Sequence, residues 1–506
     1  MNICRLLAAA AVVIGCAGTA GAALDAPLRV DGGLLAGVPG IDEGITAFKG
    51  IPYAAPPLAD LRWRAPQPVV PWQGVRKAEK FSEPCTQMQR NAVIGSEDCL
   101  YLNVWTGAKS ASERRPVIVW SYPDGFRANS AANPMFEGEG LARKGVIVVT
   151  SNYRSGVFGF LSHPELSKES GHGGSGNYGM QDQIAVLQWV KKNIAAFGGD
   201  PNRVTIAGQS AGGLSTLILA TSPLTKGLFH RAIIESRATG VRQDRIKADS
   251  DGVQYAEAHG AHSLQELRAL PAAKLKEGDN YDQPIIDGYV IRPDFYQVYV
   301  SGLEHDVPVI TGSAFDEDGA VPMPNVKAAQ FQEWVRRRYG TMADEFFSLY
   351  PFSTDAEAGP MKNIAAREDS RMRAFLTATQ GSHTRRNKAW VYTWTHAPPG
   401  PDSARQGAFH MSEITYVFDN LYANDRPWVA ADHRIADMMS SYWANFVRTG
   451  DPNGKGLPAW AAADAKSPVV MELGEHFAPM PLGDPARLDF IRRFYVTHAE
   501  TAGRFQ

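Results

Sequence analysis

The residues best suited to covalent chemistry stand in Gly208-Gln-Ser-Ala-Gly212. A serine hydroxyl is a weak nucleophile near neutral pH and needs an exposed position and an imidazole to take its proton. The apolar run from Val204 to Ala207 reads as a buried strand, and the stretch from Ala211 to Thr221, stopped by Ser222-Pro223, reads as a helix. Strand, sharp turn and helix are the context that a G-x-S-x-G elbow requires. Side chains two positions either side of Ser210 would strike the neighbouring strand and helix, so glycine is needed there. The helix start behind the serine favours developing negative charge. The pentapeptide alone is common in a chain with 48 glycines, so the flanking strand and helix carry the reading.

Six histidines follow residue 320: His383, His396, His410, His433, His476 and His498. His410 sits in a turn just before the apolar segment Ile414-Thr-Tyr-Val-Phe418. The others lie in charged or proline-rich surroundings, where a solvated ring is the simplest expectation. For an acid to orient the imidazole, Gly312-Ser-Ala-Phe-Asp-Glu-Asp-Gly319 places Asp316, Glu317 and Asp318 after a predicted strand. Loops at the carboxyl ends of parallel strands are where such sheets hold chemistry. Spacing does not choose among the three, and a solvated acidic loop fits the pattern as well. Gly171-His-Gly-Gly-Ser-Gly176 matches the dinucleotide fingerprint but follows a polar run rather than a strand, so it reads as a flexible loop.

The elements that must position these groups alternate between strand and helix. Pro116 to Tyr122, Val146 to Thr150, Arg231 to Glu235, Val307 to Thr311 and Ala389 to Trp394 read as buried strands. Asp182 to Phe197 reads as an amphipathic helix with Ile184, Leu187, Val190, Ile194 and Phe197 on one face. The class is therefore α/β, with a mostly parallel central sheet covered by helices on both faces. Residues 28–38 suggest a hairpin, and Glu97 to Trp105 another strand. The prolines of 48–57 and 61–68 predict an extended wrap without regular structure. Residues 322–388 are expected to be a charged helical insertion over one end of the sheet, and 23–506 one large domain.

The 506 residues are 44% hydrophobic with a net charge of −2, enough for a large core. The one block of like charge, Arg336-Arg337-Arg338, is assigned to a surface helix, and nothing asks for nucleic acid or an anionic membrane. Residues 1–22 read as a secretory leader: Arg5, an apolar Leu6 to Ile14, and a small-residue site at Ala20-Gly-Ala22. The apolar run is too short to span a bilayer, which takes about 20 residues. A lipoprotein anchored at Cys16 is the alternative processing. The mature chain keeps Cys85 and Cys99, which in an exported protein are expected to pair. No histidine pair at ligand spacing stands near them to suggest a metal, and no cofactor is expected.

Several longer motifs now fall into one order. Phe48-Lys-Gly-Ile-Pro-Tyr-Ala54, Glu97-Asp-Cys-Leu-Tyr-Leu-Asn103, Asn152-Tyr-Arg154 and Gly176-Asn-Tyr-Gly-Met-Gln-Asp-Gln183 come first. Phe197-Gly-Gly-Asp-Pro-Asn202, the elbow, His410 with its following segment, Tyr442-Trp-Ala-Asn-Phe446 and Gly450-Asp-Pro-Asn453 complete them. Together these resemble the type-B carboxylesterases, the group of cholinesterases and bacterial p-nitrobenzyl esterases. The resemblance implies an α/β-hydrolase fold and a triad of Ser210, Glu317 and His410, with Asp318 and Met411 each standing where glycine is usual. It also implies a Cys85–Cys99 disulfide, an ion pair of Arg154 with Asp182, and a supporting role for Ser236, beside which Arg237 replaces another usual glycine.

By the same resemblance the oxyanion donors fall on the backbone N–H groups of Asp124, Gly125 and Ala211. The family usually shows three glycines in this loop, whereas this chain reads Trp120-Ser-Tyr-Pro-Asp-Gly-Phe126. A carboxylate about 5 Å from a developing oxyanion would oppose it by roughly 3 kcal/mol at an effective dielectric near 20. Asp124 thus points away, faces the pocket to select a cationic or polyhydroxylated substrate, or disables the hole. The function implied is an exported serine carboxylesterase acting on small-molecule esters through an acyl-enzyme. Amide, carbamate or thioester hydrolysis is the alternative, and a non-catalytic binding protein on the same scaffold the more distant one.

Overall fold

A computed structural model describes Leu24 and residues 27–237, 241, 244–293, 305–320, 326–379 and 386–498. The predicted leader, residues 1–22, lies outside the described residues, as does His383. Eleven strands form the main sheet. In chain order they are β1 (Val38–Pro39), β2 (Thr46–Pro52), β3 (Tyr101–Thr106), β4 (Arg115–Ser121), β5 (Ile147–Ser151) and β6 (Gly199–Gln209). β7 (Arg231–Glu235), β8 (Val309–Ala314), β9 (Ala389–Trp394), β10 (Val469–Leu473) and β11 (Ala478–Pro481) follow. Their spatial order is β11-β10-β9-β8-β7-β6-β4-β5-β3-β2-β1.

The run from β10 to β5 is parallel throughout. Antiparallel pairs close both ends, β10 with β11 and β5 with β3, β3 with β2, β2 with β1. Every residue of β5, β8 and β9 is buried. Side chains alternate between the faces of a strand, so complete burial requires cover on both sides. That cover includes α1 (Tyr178–Asn193), α2 (Ala211–Thr221), α3 (Asp355–Thr379) and α4 (Ala430–Thr449).

The hairpin forms as expected, with Leu28–Val30 antiparallel to Gly33–Ala36. The proline-rich stretch after it departs from expectation. Thr46–Pro52 is strand β2, paired to β3 with a bulge between Phe48 and Ile51. Its single proline is the last residue of the strand, where a missing N–H does least harm. α1 begins four residues before the predicted start, and Asp182 stands inside it as a buried carboxylate. That carboxylate accepts from Arg154 N and Nε (both 2.9 Å) and Nη2 (2.7 Å), making the ion pair that the resemblance implied. Cys85 and Cys99 are bonded, with Cα atoms 5.0 Å apart. The three-arginine block is not wholly on the surface. The Arg338 side chain is 5% exposed, beside Asp369 and over the Trp334, Tyr339 and Phe494 rings.

Candidate active site

β6 ends at Gln209, α2 begins at Ala211, and Ser210 between them takes φ 58° and ψ −118°. A non-glycine residue in this region is strained and marks a site whose surroundings over-determine it. The glycines supply the room. A Cβ on Gly208 would lie 2.4 Å from Gly212 O and 2.7 Å from Ser121 O, and one on Gly212 only 1.9 Å from Ser121 O. The elbow therefore fits only because the start of α2 packs directly on the end of β4. Ser210 N donates to Glu235 O at 3.0 Å, tying the turn to β7.

The three candidate acids have separate fates. Asp316 is buried and joins the acid loop to the histidine loop: its N donates to Ala408 O and its Oδ2 accepts from Ala408 N, both at 3.0 Å. It also pairs with Arg367. Asp318 is exposed. Glu317 turns inward, where its Oε1 accepts from Ala314 N at 3.0 Å and its Oε2 is hydrogen-bonded to His410 Nδ1. The side chains of His410 and Glu317 are 34% and 17% exposed, so the pair is reachable but largely screened from water. Ser210, His410 and Glu317 line one cavity of about 330 Å³.

Burial opposes the charged form of His410, yet the charge and hydrogen bond of Glu317, with the charges of Glu413 and Asp318, hold it above the ordinary imidazole range. Burial likewise opposes ionised Glu317, but His410, Ser236 and Arg373 outweigh it and keep that carboxyl below its usual value.

Behind this pair lies a layer that the sequence reading had touched only at Ser236. Ser236 Oγ donates to Glu413 Oε1 at 3.4 Å and accepts from Ala314 N at 3.2 Å. Glu413 is fully buried; burial and the charge of Glu317 push its carboxyl up to about 7. Glu235, also buried, accepts from Trp443 Nε1 at 2.8 Å and is pushed well up by burial and by Glu413. Gln209 Nε2 lies 3.4 Å from both ring nitrogens of His410. Gln209 is part of the elbow pentapeptide and Glu413 of the segment after His410, but their convergence depends on contacts across some 200 residues. His396 corrects an expectation too. It is buried, with Nδ1 bonded to Glu475 (2.6 Å) and Nε2 to Asp432 (2.8 Å), rather than solvated.

The loop after β4 is fixed by Tyr122 and Tyr153, whose rings stack 4.3 Å apart while each hydroxyl donates to the other's carbonyl, at 3.3 and 3.1 Å. Asp124 and Phe126 both take positive φ, 106° and 61°. Among the described residues the N–H groups of Asp124, Gly125 and Ala211 have no hydrogen-bond partner. Gly125 and Phe126 line the cavity beside Ser210, whereas Asp124 is exposed and lies outside that lining. Although the residue is exposed overall, partial desolvation of its carboxyl raises it, with the charge of His410 opposing. Met411, another departure from glycine, also holds φ 78°.

The carboxylesterase family model matches residues 28–486. The chain belongs to the carboxylesterase family. It is 34% identical over 462 residues to the fumonisin B1 esterase of Sphingopyxis macrogoltabida, covering 86% of this chain and 84% of that one. To the para-nitrobenzyl esterase of Bacillus subtilis it is 30% identical over 445 residues, covering 81% and 88%. A solved PNB esterase superposes with a TM-score of 0.80 at 28% identity, over 92% of this chain and 99% of that one. This carboxylesterase has the α/β-hydrolase fold and is a carboxylic ester hydrolase whose substrates are small-molecule esters.

Proposed function

We propose that this carboxylesterase works through Ser210, His410 and Glu317. His410 takes the Ser210 proton as Oγ attacks the ester carbonyl, and Glu317 fixes the imidazole with its Nδ1–H toward the carboxylate and steadies the imidazolium. The tetrahedral oxyanion is met by backbone N–H groups of Gly125, Ala211 and Asp124, aided by the start of α2. His410 then returns the proton to the departing alcohol, and water cleaves the acyl-serine by the same route. The observation that carries this reading is the Glu317–His410 hydrogen bond at the wall of the cavity that also holds strained Ser210. The Asp124 side chain is exposed, where water weakens its opposition to the oxyanion.

Hydrolysis of p-nitrophenyl acetate and butyrate by the native protein and by Ser210→Ala tests it. Turnover is expected in the first and background in the second; equal turnover in both would overturn the assignment. We further propose that the enzyme is exported, on the strength of the leader-like residues 1–22 and the disulfide, formed in oxidising compartments. The amino-terminal mass of the protein recovered outside the cytoplasm tests this: a start near residue 23 supports cleavage, a lipid on Cys16 the anchored form, and an intact Met1 in the cytoplasm contradicts both.

A further inference from the structure

Simple neutral esters call for an apolar pocket with few polar groups. The cavity beside Ser210 is built differently. Arg127, Arg237 and Arg373 all line it, and its apolar lining is limited to Phe126, Leu214, Ala366 and Ala374. Of the three acids in its lining, Asp318 is exposed to solvent and the other two are engaged. Asp282 is bonded to Arg127, whose Nε donates to it at 3.0 Å, and Glu317 is bonded to His410. Arg373 is anchored in the cavity wall: its Nε donates to Asp369 Oδ2 at 3.0 Å and its Nη2 to Ser370 Oγ, itself part of the lining, at 3.1 Å. Asp369 is 1% exposed and absent from the lining, so it holds the guanidinium without presenting a carboxylate to a ligand. Residues 366, 370, 373 and 374 share one face of α3, which turns that guanidinium toward the cavity.

A second observation points the same way. Ser313 also lines the cavity, is 3% exposed, and its Oγ has no hydrogen-bond partner among the described residues. A buried hydroxyl left this way costs free energy unless a ligand satisfies it. Arg237 follows Ser236 directly at the end of β7, with its Cα 3.0 Å from where a Cβ on Gly213 of the elbow helix would stand, so it is fixed beside the nucleophile. Guanidinium forks match a carboxylate, binding it through two parallel N–H bonds.

We infer that this enzyme selects esters that carry a free carboxylate near the scissile bond, received by Arg237 and Arg373 with Ser313 as an added donor. The inference rests on Ser210 being the nucleophile of the same cavity. It runs opposite to selection of a cationic substrate, one of the alternatives that Asp124 left open in the sequence.

Two matched pairs place the charge on either half of the substrate: monophenyl glutarate against phenyl valerate, and 4-butyryloxybenzoate against phenyl butyrate. In at least one pair the native enzyme is expected to favour the anion by about 10- to 100-fold in kcat/KM, the range of a charge-assisted hydrogen bond. The preference should shrink in 0.5 M NaCl and fall toward parity in Arg237→Gln and Arg373→Gln. A merely structural role for either arginine would depress both members of a pair alike and leave the ratio standing. Should Arg373→Gln fail to fold, the native substrate ratios and Arg237→Gln still decide. Neutral esters cleaved as well as or better than both anions would overturn the inference while leaving the triad intact. No hydrolysis of any of the four would remove both.

Discussion

Glu317→Gln tests the triad at a single atom. In the native site Oε1 accepts from Ala314 N at 3.0 Å, and Oε2 faces His410 Nδ1. Glutamine has one oxygen, and the buried Ala314 N–H claims it, since an amide NH₂ there would set two donors against each other. The NH₂ must then face Nδ1, which it can do only by donating to it. That forces the ring proton onto Nε2, the nitrogen required to take the serine proton. The side chain keeps its shape and the fold its packing, but the base is in the wrong tautomer. A comparable exchange in a serine protease triad costs roughly 10⁴ in kcat, about 5 kcal/mol of transition-state stabilisation. The assay is kcat for p-nitrophenyl butyrate at pH 8, with circular dichroism and the unfolding midpoint as controls for folding. A loss of less than about tenfold in a well-folded variant would refute the reasoning and shift attention to Asp318 or to another base.

Other perturbations follow from the same contacts. Asp182→Asn leaves the buried Arg154 guanidinium facing an amide, and should cost about 3–5 kcal/mol in urea unfolding; a cost below 1 kcal/mol would contradict the ion pair's role. Glu413→Gln removes a negative charge that helps raise His410, so the rising limb of kcat/KM against pH should move to lower pH; a limb that stays put would deny their coupling. Because the Glu413 carboxyl is raised in the folded state from 4.5 to about 7, its contribution to stability is complete below 4.5 and is lost as pH rises toward 7. The glutamine variant should gain stability relative to the native protein across that window, and a constant difference would contradict it. Gly212→Ala drives a methyl into Ser121 O and should abolish activity or solubility, whereas native-like turnover would mean that the elbow has slack.

What was legible in the sequence was local or carried by long motifs. The elbow announced itself through a strand, two clash-avoiding glycines and a helix, all within 18 residues or so. Periodicity gave the faces of α1, and the resemblance chose Glu317 where spacing alone left three acids open. The structure explains that ambiguity: Asp316 is bound into the bridge to Ala408 and Arg367, a pairing that no local pattern encodes. His396 was misread for the same reason, because its partners Glu475 and Asp432 are distant in the chain. β2 was missed because prolines beyond it coloured the whole stretch, although only Pro52 lies within the strand. Arg338 was placed on the surface by its charged neighbours, while Asp369 and an aromatic cluster draw it inward.

The central claim is that Ser210 carries the acyl group. Incubating the enzyme with diethyl p-nitrophenyl phosphate, followed by peptide mass spectrometry, tests it most directly. The account predicts stoichiometric inactivation with one diethylphosphoryl group on Ser210, and far slower labelling in His410→Ala. Loss of activity with the label on another residue, or continued turnover by fully labelled enzyme, would contradict it.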